Sequence, residues 1–333
     1  MARSHLTLAA LATSAVADLD LVQTASFGTA SDGDFDSALL TGRDGRHWII
    51  RIPRNTRAES EQSADLVALR AISTGVRTRL PFTVSTFVGQ TPVSGTRALV
   101  YEFVYGSKLS LLDLEPSHGG ISTSVGEAIA AIHNLPTSFV TDAGLPHFGA
   151  IESLRSAVTV IDRAAATGLV PATMLLRWER ATEDATLWQF QPAVINAALT
   201  ASSFLAADHR VSGVLGWHEL RVGDPAKDLA WVLTSPDPQV VDAVFDAYAS
   251  KRGSTDRHAK QRATLYSELE VAKWLLHGTE TRSTEIVDDA VAMLTTLVDA
   301  VENDVTNPIS AQTMPTMAVD EVEAFLDRST RTL

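Results

Sequence analysis

The chain has 333 residues, a formal net charge of −13 and 45% apolar residues. Its length is that of about two domains, and the apolar share is enough for a sizeable core. The acidic balance argues against nucleic acid or an anionic membrane as the main partner, since both attract basic faces. With no cysteine in the chain, disulfides and thiolate metal sites are excluded.

Residues 6–12, followed by Ala15-Val16-Ala17, imitate a secretory leader with a small-residue cleavage site. Ser and Thr interrupt the apolar run, so an amphipathic opening helix carrying Leu8, Leu11 and Leu19 is expected instead, in a cytoplasmic protein. No segment approaches the roughly 20 apolar residues of a membrane span. Val22-Gln23-Thr24-Ala25 and Ser37-Ala38-Leu39-Leu40 read as strands around a turn rich in Gly and Asp, residues 26–34. Residues 41–46 read as a hairpin turn, and residues 47–54 alternate as a further strand. Leu66, Leu69 and Ile72 recur at helical spacing and predict a helix over 58–72. A strand begins after residues 81–84, and another runs through 97–106.

The second half reads as helical: 122–135, 151–167, 171–185, 239–249, 262–276 and 286–301. Leu175, Leu176 and Trp178 read as a packing stripe, and His133 as a structural residue at a helix end. Residues 304–317 read as a loop or flexible arm, and 319–327 as a short terminal helix. Between the helices lies the stretch that organises the chain, residues 192–231. It reads as an apolar strand from Ala193, a loop, and a hairpin whose turn is Ala207-Asp208-His209-Arg210. Gly223-Asp224-Pro225 then opens a helix, because Asp accepts N–H groups at a helix start and Pro suits the first helical position.

Gly223, Asp224, Pro225, Asp228, Leu229 and Ala230 stand as the Gly-Asp-Pro-x-x-Asp-Leu-Ala motif. Arg51-Ile52-Pro53-Arg54 and Ile132-His133-Asn134-Leu135-Pro136 add two further matches. In these the chain resembles the aminoglycoside and macrolide phosphotransferases, and the macrolide 2'-phosphotransferases most. The resemblance implies an α+β, two-lobed, protein-kinase-like fold. A small β-rich lobe over 1–105 would cover the nucleotide, and a larger helical lobe over 106–333 would carry the catalytic loop.

The resemblance also assigns positions. Arg51 matches the basic residue that holds the nucleotide's phosphates. Asp65 fits the acid that pairs with it, with Glu61 one turn earlier as the alternative. Gly28 belongs to the loop over the phosphates, in which Asp32 and Asp34 would repel phosphate unless they point away. Glu102 and Phe103 belong to the hinge that contacts the base through backbone groups. The family's His-Gly-Asp falls on Asn196, Ala197 and Ala198, its loop Asn on Ser203, and its metal-binding Asp on Gly216, just before Trp217. Asp224 and Asp228 would support the loop, Asp224 by hydrogen-bonding its backbone and Asp228 at the helix start.

Phosphoryl transfer needs Mg²⁺ on the phosphates and a carboxylate near the attacking hydroxyl. Ala198 and Gly216 supply neither, and a serine hydroxyl is a weaker ligand for a hard cation than an amide carbonyl. Ser203 and Glu219 are weak metal candidates, and the strand end bearing Glu219 turns away. The expected protein keeps a kinase-like fold, binds ATP, GTP or a small molecule, and has lost transfer, with Mg²⁺ short of ligands. The alternative is an active enzyme that recruits Glu219 and Asp224 to phosphorylate a macrolide or aminoglycoside hydroxyl. A third reading is an interaction protein with no ligand cleft in use. There is no His-Glu-x-x-His, no Gly-x-Ser-x-Gly and no Walker loop, so hydrolase and zinc chemistry are unsupported.

Overall fold

A computed structural model of the chain describes residues 3–28, 33–114, 120–253, 256–303 and 309. Asp32, the arm at 304–317 (apart from residue 309) and the helix expected at 319–327 lie outside the described residues.

The N-terminal lobe is a five-stranded antiparallel sheet in the order β1-β2-β3-β6-β5. Its strands are β1 (Leu21–Ser26), β2 (Phe35–Gly42), β3 (His47–Pro53), β5 (Phe87–Val93) and β6 (Thr96–Glu102). The two-residue alternation divides its faces. Ala38, Leu40, Trp48, Ile50 and Ile52 point to one side and form a core with Leu8 and Ala12 of helix α1 (His5–Ala15). The opening stretch is thus a helix, capped by Ser4, whose hydroxyl accepts the Thr7 N–H at 3.2 Å. The crossing is close: a Cβ on Gly89 of β5 would lie 2.2 Å from the Ala15 carbonyl oxygen, so only glycine fits there. The opposite face carries Leu39, Ile49 and Arg51 and looks toward helix α2 (Thr56–Ala71) and the C-terminal lobe.

Asp36 anchors this lobe. Its side chain is 3% exposed and takes Arg3 at 3.1 Å and Arg54 at 2.7 Å. Burial alone would raise its pKa, but the hydrogen bonds from Arg54 and Arg3 outweigh burial and hold it below the usual carboxylate value.

Two strands escaped the periodicity reading, and the first of them joins the lobes. Strand β4 (Thr83–Val84) leaves the N-terminal sheet and pairs in parallel with β10 (Arg210–Val214). Strand β7 (Ser107–Lys108) pairs with β9 (Phe204–Ala207). At two residues each they are too short for any alternation to show. The turn between β9 and β10 has both Asp208 (φ +51) and His209 (φ +59) in the left-handed region, as a tight hairpin requires. β11 (Arg221–Gly223) pairs with β8 (Ala193–Ile195), placing the 196–203 loop at the end of that two-stranded ribbon.

Around these ribbons pack α3 (Thr74–Arg77), α4 (Ile121–His133), α5 (Ser138–Asp142), α6 (Ala150–Ala165), α7 (Ala172–Glu183), α8 (Pro238–Arg252), α9 (Ala259–Thr281) and α10 (Thr284–Asn303). Pro225–Thr234 is a 3₁₀ helix rather than an α-helix. The expected stripe on α7 is partly wrong. Trp178 is fully buried and donates its indole N–H to Glu268, whereas Leu176 is 48% exposed. Leu176 is one residue from Leu175 and two from Trp178, a spacing that puts it on another helix face.

Asp36→Ala should destabilise the chain by about 2 kcal/mol, the low side for a buried pair losing one partner, because both arginines keep access to water. Asp36 has a lowered pKa in the fold, so its contribution is complete above the unfolded carboxyl value of about 3.9 and is lost as pH falls through the folded value. Urea unfolding should therefore show a wild-type margin over Asp36→Ala at pH 7 that shrinks on acidification below about pH 4.

Candidate functional site

The 196–203 loop is built by one carboxylate. Asp228, fully buried in the 3₁₀ helix, accepts the N–H of Asn196 at 2.8 Å and of Ala197 at 2.6 Å. His133 stands behind it, 3.2 Å from Asp228 Oδ2 through Nε2 and 3.0 Å from the Tyr248 hydroxyl through Nδ1. Asp224 does something else. It accepts the Ala226 N–H at 3.0 Å, takes Arg262 in a two-pronged pair at 2.7 and 3.0 Å, and accepts the Tyr266 hydroxyl at 2.9 Å. The loop's backbone bonds thus go to Asp228, and Asp224 is spent on Arg262. Arg262 lies 38 residues further on, beyond any local pattern.

Asn196 joins the loop to the end of β10. Its amide donates to the Gly216 carbonyl at 2.8 Å, and its Oδ1 accepts the Ala198 N–H at 3.2 Å. Positions 198 and 216 are therefore tied through one side chain, and what they offer is a methyl group and a hydrogen. Gly216 has φ +74, and a Cβ there would meet nothing within 4 Å. Space for a side chain exists, and Asp is among the few residues that tolerate this backbone region. The Ser203 Oγ accepts the Thr200 N–H at 3.1 Å in a reciprocal cap, and its carbonyl accepts the Leu215 N–H at 2.9 Å. Glu219 is paired with Arg221 at 2.9 Å on a half-exposed strand end.

Asp65 does not meet Arg51 as expected. Among the described residues no ion pair joins them; Asp65 Oδ1 accepts the Trp217 N–H at 2.7 Å, and the Arg51 guanidinium lies 3.9 Å over the Phe35 ring. Phe35 sits two residues along β2 from Ser37, the partner of Arg51, so the ring takes the guanidinium as a diagonal neighbour. Burial pushes the Asp65 carboxyl above its ordinary pKa, against the Trp217 N–H and the charges of Arg51 and His218. Asp65 thus stands beside Gly216–Trp217 rather than paired with Arg51. Glu61 pairs with Arg57 at 3.2 Å. Asp34 also bonds Arg57 and accepts the Asn55 amide at 2.8 Å, so it is turned onto α2.

At the hinge, the N–H groups of Glu102 and Phe103 donate to the Thr86 and His47 carbonyls at 2.8 and 3.0 Å, so neither is free for a base. Gly28 is left-handed at φ +88 with open space around it. The sequence reading passed over Lys227. Its amine lies 5.5 Å over the Tyr266 ring, and burial, Arg221 and Lys273 push its pKa down to about 8. Only the burial of that position, which no local pattern carries, marks it out.

Among the described residues no three His, Asp or Glu side chains converge at metal-ligand spacing. The donor set around positions 198, 203 and 216, a methyl, a committed hydroxyl and a hydrogen, does not fit Mg²⁺.

The family model of the phosphotransferase enzyme family, APH, matches residues 28–261, more than half of the chain. This chain belongs to the phosphotransferase enzyme family. Its fold is similar to that of macrolide 2'-phosphotransferase MphH from Brachybacterium faecium (TM-score 0.72, 20% identity, 87% of this chain and 98% of that one). It is similar as well to the GDP complex of aminoglycoside 2'-phosphotransferase-IIIa (TM-score 0.71, 16% identity, 90% of this chain and 100% of that one). By sequence it is 22% identical over 271 residues to the uncharacterized protein YcbJ of Bacillus subtilis (strain 168), covering 78% of this chain and 87% of that protein. The phosphotransferase family and the two-lobed kinase-like fold thus stand as expected. At these identities the solved structures speak to fold alone.

Ala197 carries a testable cost. It sits at φ +66, where an L side chain with a Cβ is disfavoured by roughly 1–2 kcal/mol. Ala197→Gly removes that strain at a smaller cost in chain entropy, so a net gain of about 0.5–1 kcal/mol in denaturant unfolding is expected. No gain would mean that the loop is not strained there.

Proposed function

We propose that this phosphotransferase-family chain is a pseudokinase: a small-molecule-binding module that keeps the family's loop scaffold without transferring phosphoryl groups. The observation that carries the reading is that Asn196 ties the backbones of Ala198 and Gly216 together, at two positions that bear no carboxylate. The transition state of phosphoryl transfer is stabilised almost wholly by positioning and by metal and side-chain charge. A methyl and a hydrogen supply neither.

The rival reading, an active enzyme with recruited acids, is opposed by two contacts. Asp224 is locked by Arg262, Tyr266 and the Ala226 N–H. Glu219 is engaged by Arg221. The family's solved members, one described with GDP and one as a macrolide phosphotransferase, support a nucleotide or an antibiotic-like molecule as the ligand class.

The test is transfer from γ-labelled ATP and GTP, with Mg²⁺, to representative macrolides and aminoglycosides. No label above the protein-free blank is expected. Robust turnover would refute the reading, and turnover abolished by Glu219→Ala would establish the recruited-acid scheme in its place.

A further inference from the structure

Phe27 ends the sheet's outermost strand. Its N–H donates to the Ser37 carbonyl at 3.2 Å, which ties its backbone to β2. Its ring, however, meets the ring of Phe103 edge to face, with centroids 5.8 Å apart and planes at 88°. Phe103 follows β6, and β2 and β3 lie between β1 and β6. Rings tied to these two strands can meet only by reaching across a face of the sheet. One face is filled by the α1 core, of which neither phenylalanine is a member. The contact therefore lies on the other face, the one that carries Ile49 and Arg51 and looks toward the C-terminal lobe.

Phe103 is in turn edge-on to Tyr105, 5.1 Å away, and His47 Nδ1 is 2.8 Å from the Tyr105 hydroxyl. The rings pack on one another at the hinge instead of presenting parallel, open faces to a planar ligand.

We propose that Phe27 is a built-in plug: its ring occupies the space between the end of β1 and the hinge, where a purine would lie, and it weakens nucleoside binding until the ring swings away. This rests on the kinase-like reading of the cleft but not on the loss of transfer. Among the described residues Phe27 has one ring partner, and it is 38% exposed, so the closure is shallow. One edge-to-face pair of this kind is expected to lower apparent affinity about tenfold, about 1.4 kcal/mol.

Adenosine is the probe, because it carries no phosphate and needs no metal; the outcome is then independent of whether transfer occurs. Calorimetric titration of the full chain should show Phe27→Ala binding adenosine at least about tenfold more tightly than wild type. Phe27→Tyr, which keeps the ring, should bind as weakly as wild type. Equal or weaker binding by Phe27→Ala, including no binding by either protein, overturns the proposal. A second readout needs no variant: ring-proton NOEs between Phe27 and Phe103 are expected in the free protein, and their absence also overturns it.

Discussion

The buried carboxylate of Asp228 takes the N–H groups of Asn196 and Ala197 at 2.8 and 2.6 Å, and His133 closes the network from behind. Charge-assisted bonds of this kind are each worth about 1.5–3 kcal/mol, and a buried donor left without its acceptor costs a similar amount. The 196–203 loop, the β8–β11 ribbon and the end of β10 are all positioned through this grip, because Asn196 then reaches the Gly216 carbonyl. The 196–203 loop is thus held by a buried carboxylate whose bonds are all made within the fold. Ala197 even holds a left-handed conformation that an alanine disfavours.

In the pseudokinase reading proposed above, scaffold and chemistry have separated in this chain. The supporting acids remain: Asp228 on the loop, and Asp224 on Arg262 and Tyr266. Positions 198 and 216, which the resemblance assigns to substrate and metal, carry none. Gly216 has room for a side chain, so what is missing there is charge rather than space. The positions that the resemblance assigns to the nucleotide follow the same division in that reading. Arg51 persists, yet its guanidinium rests on Phe35, and the acid beside it is turned to the Trp217 backbone.

Much of this was legible in the chain itself. The alternation in residues 47–54, the helical recurrence of Leu66, Leu69 and Ile72, and the Asp-Pro start at 224–225 each carry a local signal, and each element formed where its signal lies. What was not legible depends on partners distant in sequence. Asp224 and Asp228 read alike as acids at a helix start; only the approach of Arg262, from a helix 38 residues away, separates their roles. The resemblance could match Asp65 to Arg51, but it carries no information on the Trp217 N–H, 152 residues away, that captures it. Strands β4 and β7 are specified by the strands they pair with, β10 and β9, rather than by their own two residues. Phe27 reads as part of a turn until the sheet brings it to the hinge.

Electron paramagnetic resonance of Mn²⁺ with ATP tests most directly whether the crevice retains a cation site. If no carboxylates meet an ion there, adding stoichiometric protein leaves the Mn²⁺–ATP spectrum unchanged. Capture of one equivalent of Mn²⁺ by the wild-type chain would contradict it.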